Sequence, residues 1–285
     1  MTIVYVNGEY LPWDQAMIPV DDLSILRGYA VCDIMRTFQG TPYFLDEHID
    51  RLIMSARKIG ITPTWSATDI KAVVTRVLEK NPGLDEANIR ILITGGSSPD
   101  FFTPSDSPRL IVMATDIPPL PENWYSQGVK VITHYEERAM PEAKKTDYVP
   151  AALAQKKAKA VGAVEAIYIS ADRYALEATT SNLFAFIGET LVTPAEGVLK
   201  GITRKAVLAL ACDRFEVSER AIHLDELFAA DEVFITGTNK GVVPVVQIDD
   251  TVIGTGRPGK KTLKLKAALD AHANAFKAGG SMMST

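Results

Sequence analysis

Four short segments of the chain hold side chains able to do chemistry. In Met140-Pro-Glu-Ala-Lys-Lys-Thr-Asp-Tyr148-Val-Pro150, two adjacent lysines stand between an expected strand and an expected helix. In Glu177-Ala-Thr-Thr-Ser-Asn182-Leu-Phe184, a lone carboxylate and a string of short hydroxyls lead into an apolar strand. Leu199-Lys-Gly201-Ile-Thr203-Arg204 sets glycine and threonine at a helix start, where backbone N–H groups and the helix dipole favour a phosphate. Thr236-Gly237-Thr238-Asn239 ends a strand in small donors. Taken singly, each has an ordinary explanation: a solvated lysine pair, a surface carboxylate, a helix start and a turn.

Other familiar chemistries find no support. Gly254-Thr-Gly256-Arg-Pro-Gly259 spells G-x-G-x-x-G, but the chain after it leaves no room for a helix, a second strand and its acidic residue, so a turn is expected. His48, His134, His223 and His272 are scattered without metal-ligand spacing, and no metal site is expected. Neither the G-x-S-x-G elbow nor the phosphate loop G-x-x-x-x-G-K-[ST] occurs. The formal net charge of −5 argues against a nucleic-acid binder or an anionic-membrane binder, which need a basic surface. No apolar run reaches the roughly 18 residues of a membrane span, and the first residues turn polar too early for a signal peptide. Two cysteines, Cys32 and Cys212, make no disulfide framework. A cytoplasmic globular protein is expected, with 47% hydrophobic and 23% charged residues among 285.

The elements that must position these segments alternate in type. Asn7-Gly8 between Val4-Tyr5-Val6 and Tyr10-Leu11 predicts an opening hairpin. A strand over 29–38 precedes a helix from Asp46, with Ile49, Leu52, Ile53, Ala56 and Ile59 on one face and Gly60 at its end. Ile70, Val73, Val74, Val77 and Leu78 mark a second helix. Strands at 88–94 and 109–115 flank a loop, 95–104, that reads equally as a surface excursion packed on Phe101 and Phe102 or as a flap. Three prolines in Asp116-Ile-Pro-Pro-Leu-Pro-Glu mark a linker. Beyond it come strands at 129–134, 164–170, 181–187, 232–236 and 243–248, with helices at about 150–161, from near Ile202, and from about Lys261 to Lys277.

Together and in this order, the four segments resemble the class IV pyridoxal-phosphate enzymes: branched-chain and D-amino-acid aminotransferases, R-selective amine transaminases and aminodeoxychorismate lyase. The resemblance extends to the Val6-Asn7-Gly8 hairpin, Gly28-Tyr29-Ala30-Val31 with Arg36, His48-Ile-Asp-Arg51-Leu, and Ile253-Gly254-x-Gly256-x-Pro258-Gly259. It implies a mixed α/β, two-domain, fold type IV protein. A smaller N-terminal α/β domain spans 1–117, a linker 118–127, and a larger cofactor-binding domain with a barrel-like β core 128–278; residues 279–285 read as a frayed tail.

The resemblance also implies pyridoxal 5′-phosphate and assigns roles. Lys144 is the Schiff-base lysine, with its neighbour Lys145 as the alternative. Glu177 keeps the pyridine nitrogen protonated, Tyr148 meets the phenolic oxygen, and Leu199 lies on the ring face. Arg51, the Ile202 and Thr203 amides and Thr238 hold the phosphate; an ion pair of Arg51 with Glu47 one turn earlier is the competing reading, and the family match favours the phosphate. The lysine's pKa is expected to be lowered by its surroundings. The chain departs from the family on the substrate side. Cys32 and Asp33 replace the usual aromatic residue and glutamate, and Thr94-Gly95-Gly96 stands where one branch has an arginine. Arg27, Arg36, Arg90 and Lys240 are the candidates for a substrate carboxylate, with an ordinary surface charge the plainer reading of each except Arg90, set between Ile89 and Ile91. Cys32 reads as a small core residue. The implied reaction is ping-pong transfer of an amino group from an α-amino acid to 2-oxoglutarate or pyruvate, leaning to D-amino acids, with branched-chain L-amino acids close behind. An R-selective amine transaminase or a lyase releasing pyruvate is the alternative, and a homodimer is implied. A non-catalytic protein on this scaffold would lack the lysine or Glu177, and both are present.

Overall fold

The computed structural model describes residues 2–276, and the expected tail at 279–285 lies outside them. The chain forms two compact units. One holds the residues through Pro118, Ala143–Tyr148 and Phe276; the other holds Pro119–Glu142 and Val149–Ala275. The segment Ala143–Tyr148, which carries both candidate lysines, thus folds with the first unit although its chain neighbours on both sides fold with the second.

In the first unit, β1 (Ile3–Val6) and β2 (Glu9–Pro12) form the expected hairpin, with Asn7 and Gly8 both at positive φ. A short α1 (Leu23–Arg27) leads to β3 (Ala30–Phe38) and β4 (Thr41–Pro42). Two helices follow, α2 (Leu45–Lys58) and α3 (Ala67–Glu79), then β5 (Ala87–Thr94) and β6 (Arg109–Asp116). The six strands make one antiparallel sheet in the order β2-β1-β6-β5-β3-β4. Alternation along each strand decides the two faces. Val31 and Met35 of β3 and Ile89, Ile91 and Ile93 of β5 pack with Ile49, Leu52 and Ala56 of α2 and Ile70, Val74 and Val77 of α3. Arg90, opposite in phase to its isoleucine neighbours, is exposed. Its position therefore carries no burial cost, contrary to the sequence-based expectation. The 95–104 loop is not packed on its aromatic rings, since Phe101 and Phe102 are exposed. It is organised by Asp100, which accepts from the Ser98 hydroxyl (2.7 Å) and the amides of Phe102 and Thr103 (both 2.9 Å).

The second unit contains α4 (Asn123–Ser126), β7 (Val129–Tyr135), α5 (Val149–Ala160), β8 (Ala166–Ile169), β9 (Tyr174–Ala178), β10 (Asn182–Ile187) and β11 (Thr190–Thr193). It continues with α6 (Ile202–Cys212), β12 (Glu216–Glu219), β13 (Ile222–His223), α7 (Leu224–Phe228), β14 (Glu232–Gly237), β15 (Gly241–Ile248), β16 (Thr251–Val252) and α8 (Lys260–Ala275). Strands β10-β14-β15-β7-β8-β9 are paired in succession, and β9 pairs back to β10 at Glu177 and Asn182. The sheet is therefore a closed six-stranded ring, the barrel-like core that the resemblance implies. Val131, Ile167, Leu183, Ala185, Val233, Ile235, Val243 and Val245 belong to its core. Phe184, Phe186 and Phe234, of opposite phase to Leu183, Ala185, Val233 and Ile235, are equally buried, the first and third stacked at 4.8 Å. The glycine-rich stretch 254–259 forms the turn before α8, as expected.

Ser66 caps α3 by accepting from the Asp69 amide, while Asp69 accepts from the Ser66 amide. Ser66→Ala should lower stability by about 1 kcal/mol, measured as a shifted urea midpoint at unchanged slope.

Candidate active site

In the first unit the lysine segment runs along the edge of β3 that β5 leaves open. Cys32 N–H donates to the Lys144 carbonyl (2.9 Å) and Thr146 N–H to that of Ala30 (3.0 Å). The Thr146 hydroxyl caps Gly28 and Ala30, and the Lys144 amide donates to Ser55 Oγ of α2 (3.1 Å). Backbone fixed in this way gives the two lysines different fates. Lys145 pairs with Asp147 at 2.9 Å. Lys144 Nζ reaches the Tyr148 hydroxyl at 3.3 Å, and among the described residues no carboxylate lies within ion-pair distance of it. Desolvation pulls the Lys144 pKa down, but the neighbouring Tyr148, Cys32 and Asp33 outweigh it, and the pKa stands above the ordinary 10.5. This corrects the expected lowering: the cationic neighbour Arg51 is overruled by acidic groups.

Arg51, whose helical spacing suggests Glu47 as its partner, is engaged by Asp33. Its guanidinium makes a two-pronged contact with that carboxylate, at 2.8 Å from Nε and 2.7 Å from one terminal nitrogen. Asp33 also meets His48 Nδ1 at 2.7 Å. The cause lies in the β3 alternation, which turns Asp33 to the helix-packed face between Val31 and Met35, where it is fully buried. Burial alone would raise the Asp33 pKa, yet Arg51 and His48 hold it well below 3.8. Burial likewise lowers the pKa of His48 and raises that of the Cys32 thiol, and buried Cys32 has the surroundings expected of a core residue.

In the second unit Glu177 sits on β9 at the pairing that closes the ring, 4% exposed. Its Oε2 accepts from the Leu199 amide (3.1 Å) and the Asn182 side chain (3.4 Å), and Oε1 accepts from Arg138. Asn182 also donates to the Leu199 carbonyl at 2.7 Å, which fixes the approach to α6. Gly201 caps α6 where a Cβ would come within 2.0 Å of Asn182 Oδ1. Beyond it, the amides of Ile202 and Thr203 open the helix and have no partner within its first turn. Thr238 lies in the turn from β14 to β15. That turn is stapled by Lys240, whose ammonium contacts buried Glu165 and bonds the Thr180 and Ser181 hydroxyls, both at 2.9 Å. Burial raises the Glu165 pKa, but Lys240 and the hydrogen bonds around it bring it below 4.5.

Residues 30–248 match the family described as amino-transferase class IV, well over half of the chain. The chain belongs to this family. A branched-chain-amino-acid aminotransferase of Pseudomonas aeruginosa is 31% identical, over 93% of this chain and 91% of its own. A D-alanine aminotransferase of Bacillus licheniformis is also 31% identical, over 93% and 95%. Among solved structures, the branched-chain amino acid aminotransferase of Escherichia coli superposes with a TM-score of 0.90 at 27% identity, over 98% of this chain and 97% of its own. Another branched-chain amino acid aminotransferase, solved with pyridoxamine 5′-phosphate, superposes with a TM-score of 0.89 at the same 27% identity, over 96% and 95%.

In this class IV aminotransferase the sequence-derived residues fall into two groups. Lys144, Tyr148 and Arg51 lie in the first unit, whereas Glu177, Leu199, Ile202, Thr203 and Thr238 lie in the second. Of the substrate-side cations, Arg27, Arg36 and Arg90 belong to the first unit and Lys240 to the second. Arg27 is exposed with its guanidinium 5.9 Å from the Phe102 ring, Arg36 covers Phe38 at 4.3 Å, Arg90 is exposed, and Lys240 is held by Glu165. Sequence reasoning missed Arg138, Asn182 and Glu165 as functional supports. For Arg138 and Glu165 the only signal is a charge near a chemistry-bearing segment, and such charges are common.

Asp33→Asn leaves the Arg51 guanidinium without its carboxylate and should cost about 3–5 kcal/mol at neutral pH. Because the Asp33 pKa is lowered, its contribution is full above 3.8 and is lost as pH falls below that value. Denaturation curves of variant and wild type should therefore converge in acid; a constant gap would count against the pair.

Proposed function

We propose that this class IV aminotransferase uses pyridoxal 5′-phosphate to move an amino group from an α-amino acid to an α-keto acid such as 2-oxoglutarate or pyruvate, in a ping-pong cycle. The observation that carries the reading is the Lys144 amine, set against the Tyr148 hydroxyl while Lys145 is neutralised by Asp147. The donor set fits the cofactor: an amine beside a phenol, a buried carboxylate, a helix start whose glycine leaves no space for a side chain, and a buried arginine.

When bound, the cofactor supplies an aldehyde that condenses with amines and a ring that accepts electron density. Lys144 Nζ must lose its proton to act, and once released it is the group placed to carry a proton to or from the substrate's α-carbon. The Tyr148 hydroxyl orients that nitrogen. Glu177 offers an anionic oxygen to a ring N–H, and Leu199 borders it through its amide. The Ile202 and Thr203 amides, Thr238 and Arg51 supply phosphate donors; Arg51 does so with its other edge fixed by Asp33.

Three of the four relatives named above carry branched-chain names and the fourth a D-alanine name. Branched-chain L-amino acids therefore stand first as donors and D-amino acids second. Arg27, Arg36, Arg90 and Lys240 are the cationic candidates for the substrate carboxylate, Lys240 with its ammonium also against Glu165. A homodimer is part of the same proposal.

Adding L-leucine, L-valine, D-alanine or D-glutamate separately, without a keto acid, should bleach the visible band of the cofactor-loaded protein with only one enantiomeric series. Pyruvate release without an acceptor would identify a lyase instead. Lys144→Ala should abolish the borohydride-reducible adduct and Lys145→Ala should keep it; the reverse would move the assignment to Lys145. Because the Lys144 pKa is raised, its neutral fraction at pH 7 is small. The rate at which cofactor-free protein captures pyridoxal phosphate should climb about tenfold per pH unit from 7 to 9, and a flat profile would show that Lys144 is not the attacking group.

A further inference from the structure

The carboxylate read above as the partner of the ring nitrogen is not held by neutral donors alone. On Oε2 the Leu199 amide sits at 3.1 Å and the Asn182 side chain at 3.4 Å, the second long for a hydrogen bond. A carboxylate whose side chain is 5% exposed is stabilised in its charged form by a nearby cation. That cation is Arg138, on the stretch between β7 and the lysine segment, which contacts Oε1. The Arg138 Nε–H is buried and, among the described residues, has no hydrogen-bond partner. This orientation therefore satisfies Glu177 better than it satisfies the guanidinium itself.

Resting on the reading of Glu177 as the ring-nitrogen partner, we propose that Arg138 is a positioning residue that holds the Glu177 carboxylate charged and in one rotamer, ready to accept from the pyridine N–H. A second cation near a protonated ring also repels it. The Arg138 side chain is 24% exposed and its field is screened by water, whereas the carboxylate it contacts is almost fully enclosed. Its main effect is therefore on Glu177. A charge-assisted hydrogen bond is about twice as strong as a neutral one, and losing the charge on Glu177 loses that difference.

The test uses the full chain, freed of cofactor and titrated by absorbance with two probes: pyridoxal phosphate and its 1-deaza analogue, in which a C–H replaces the ring nitrogen. Arg138→Met and Glu177→Gln should each weaken pyridoxal phosphate about 10- to 100-fold relative to wild type and leave the deaza analogue unchanged. Arg138→Lys, which keeps the charge but not the fork, should recover part of the loss. If Arg138→Met does not yield folded protein, Arg138→Lys decides alone by the same selective weakening. Equal weakening of both probes, or of neither, overturns the role of Arg138. If Glu177→Gln binds pyridoxal phosphate as wild type does, the reading of Glu177 falls and this inference with it; if wild type binds neither probe, the cofactor reading falls.

Discussion

A single residue pair closes the second unit's ring. Strands β9 and β10 meet at Glu177 and Asn182, and with that contact the six strands of the ring have no gap between first and last, while β11, β12, β13 and β16 pair outside it. The two residues that close the ring also have the side chains with most to do. Asn182 reaches the Leu199 carbonyl, which sets the entry to α6, and Glu177 takes the Leu199 amide. Ring closure, helix start and carboxylate placement are one constraint. Gly201 shows how tight it is, since any side chain there meets Asn182.

Each unit also buries carboxylates at a cost it must offset. In the first, Asp33 takes Arg51 and His48; in the second, Glu165 takes Lys240, the Thr179 and Ser181 hydroxyls and the Thr180 amide. Both cations look available to a ligand in the sequence, and the folded chain commits at least one edge of each to a neighbour. For Arg51 that commitment is compatible with a second set of donors pointing elsewhere, because a guanidinium is a fork with five N–H groups. The Lys240 ammonium has only three, and its contacts with Glu165, Thr180 and Ser181 match that number.

The strands and helices with strong periodicity were legible in the chain. Ile70, Val74 and Val77 are buried on α3 as their spacing predicts, and β3 starts within a residue of its expected place. The family resemblance located Lys144 and Glu177, because their flanking segments are distinctive. Less legible was β9, five residues long, whose tyrosine, alanines, leucine and glutamate carry no clean alternation. Partners distant in sequence were not legible at all. Nothing local links Arg138 to Glu177, or Asp33 to Arg51, because sheet register and helix packing bring them together only in the folded chain. Arg90 misled for a related reason: its apolar neighbours suggested burial, yet on a strand the neighbours of a residue lie on the opposite face.

The placement of Ala143–Tyr148 bears on how the protein is made. A ribosome that has delivered the first 118 residues has supplied every strand of the first sheet, yet one stretch of β3 still lacks the backbone partner that residues 144–146 will bring. That partner arrives only after the first strand of the second unit, β7, has been synthesised. The nascent chain thus carries an unpaired edge through a defined interval of translation, the kind of edge on which a holding chaperone acts. A truncation at the proline-rich segment would make that interval permanent.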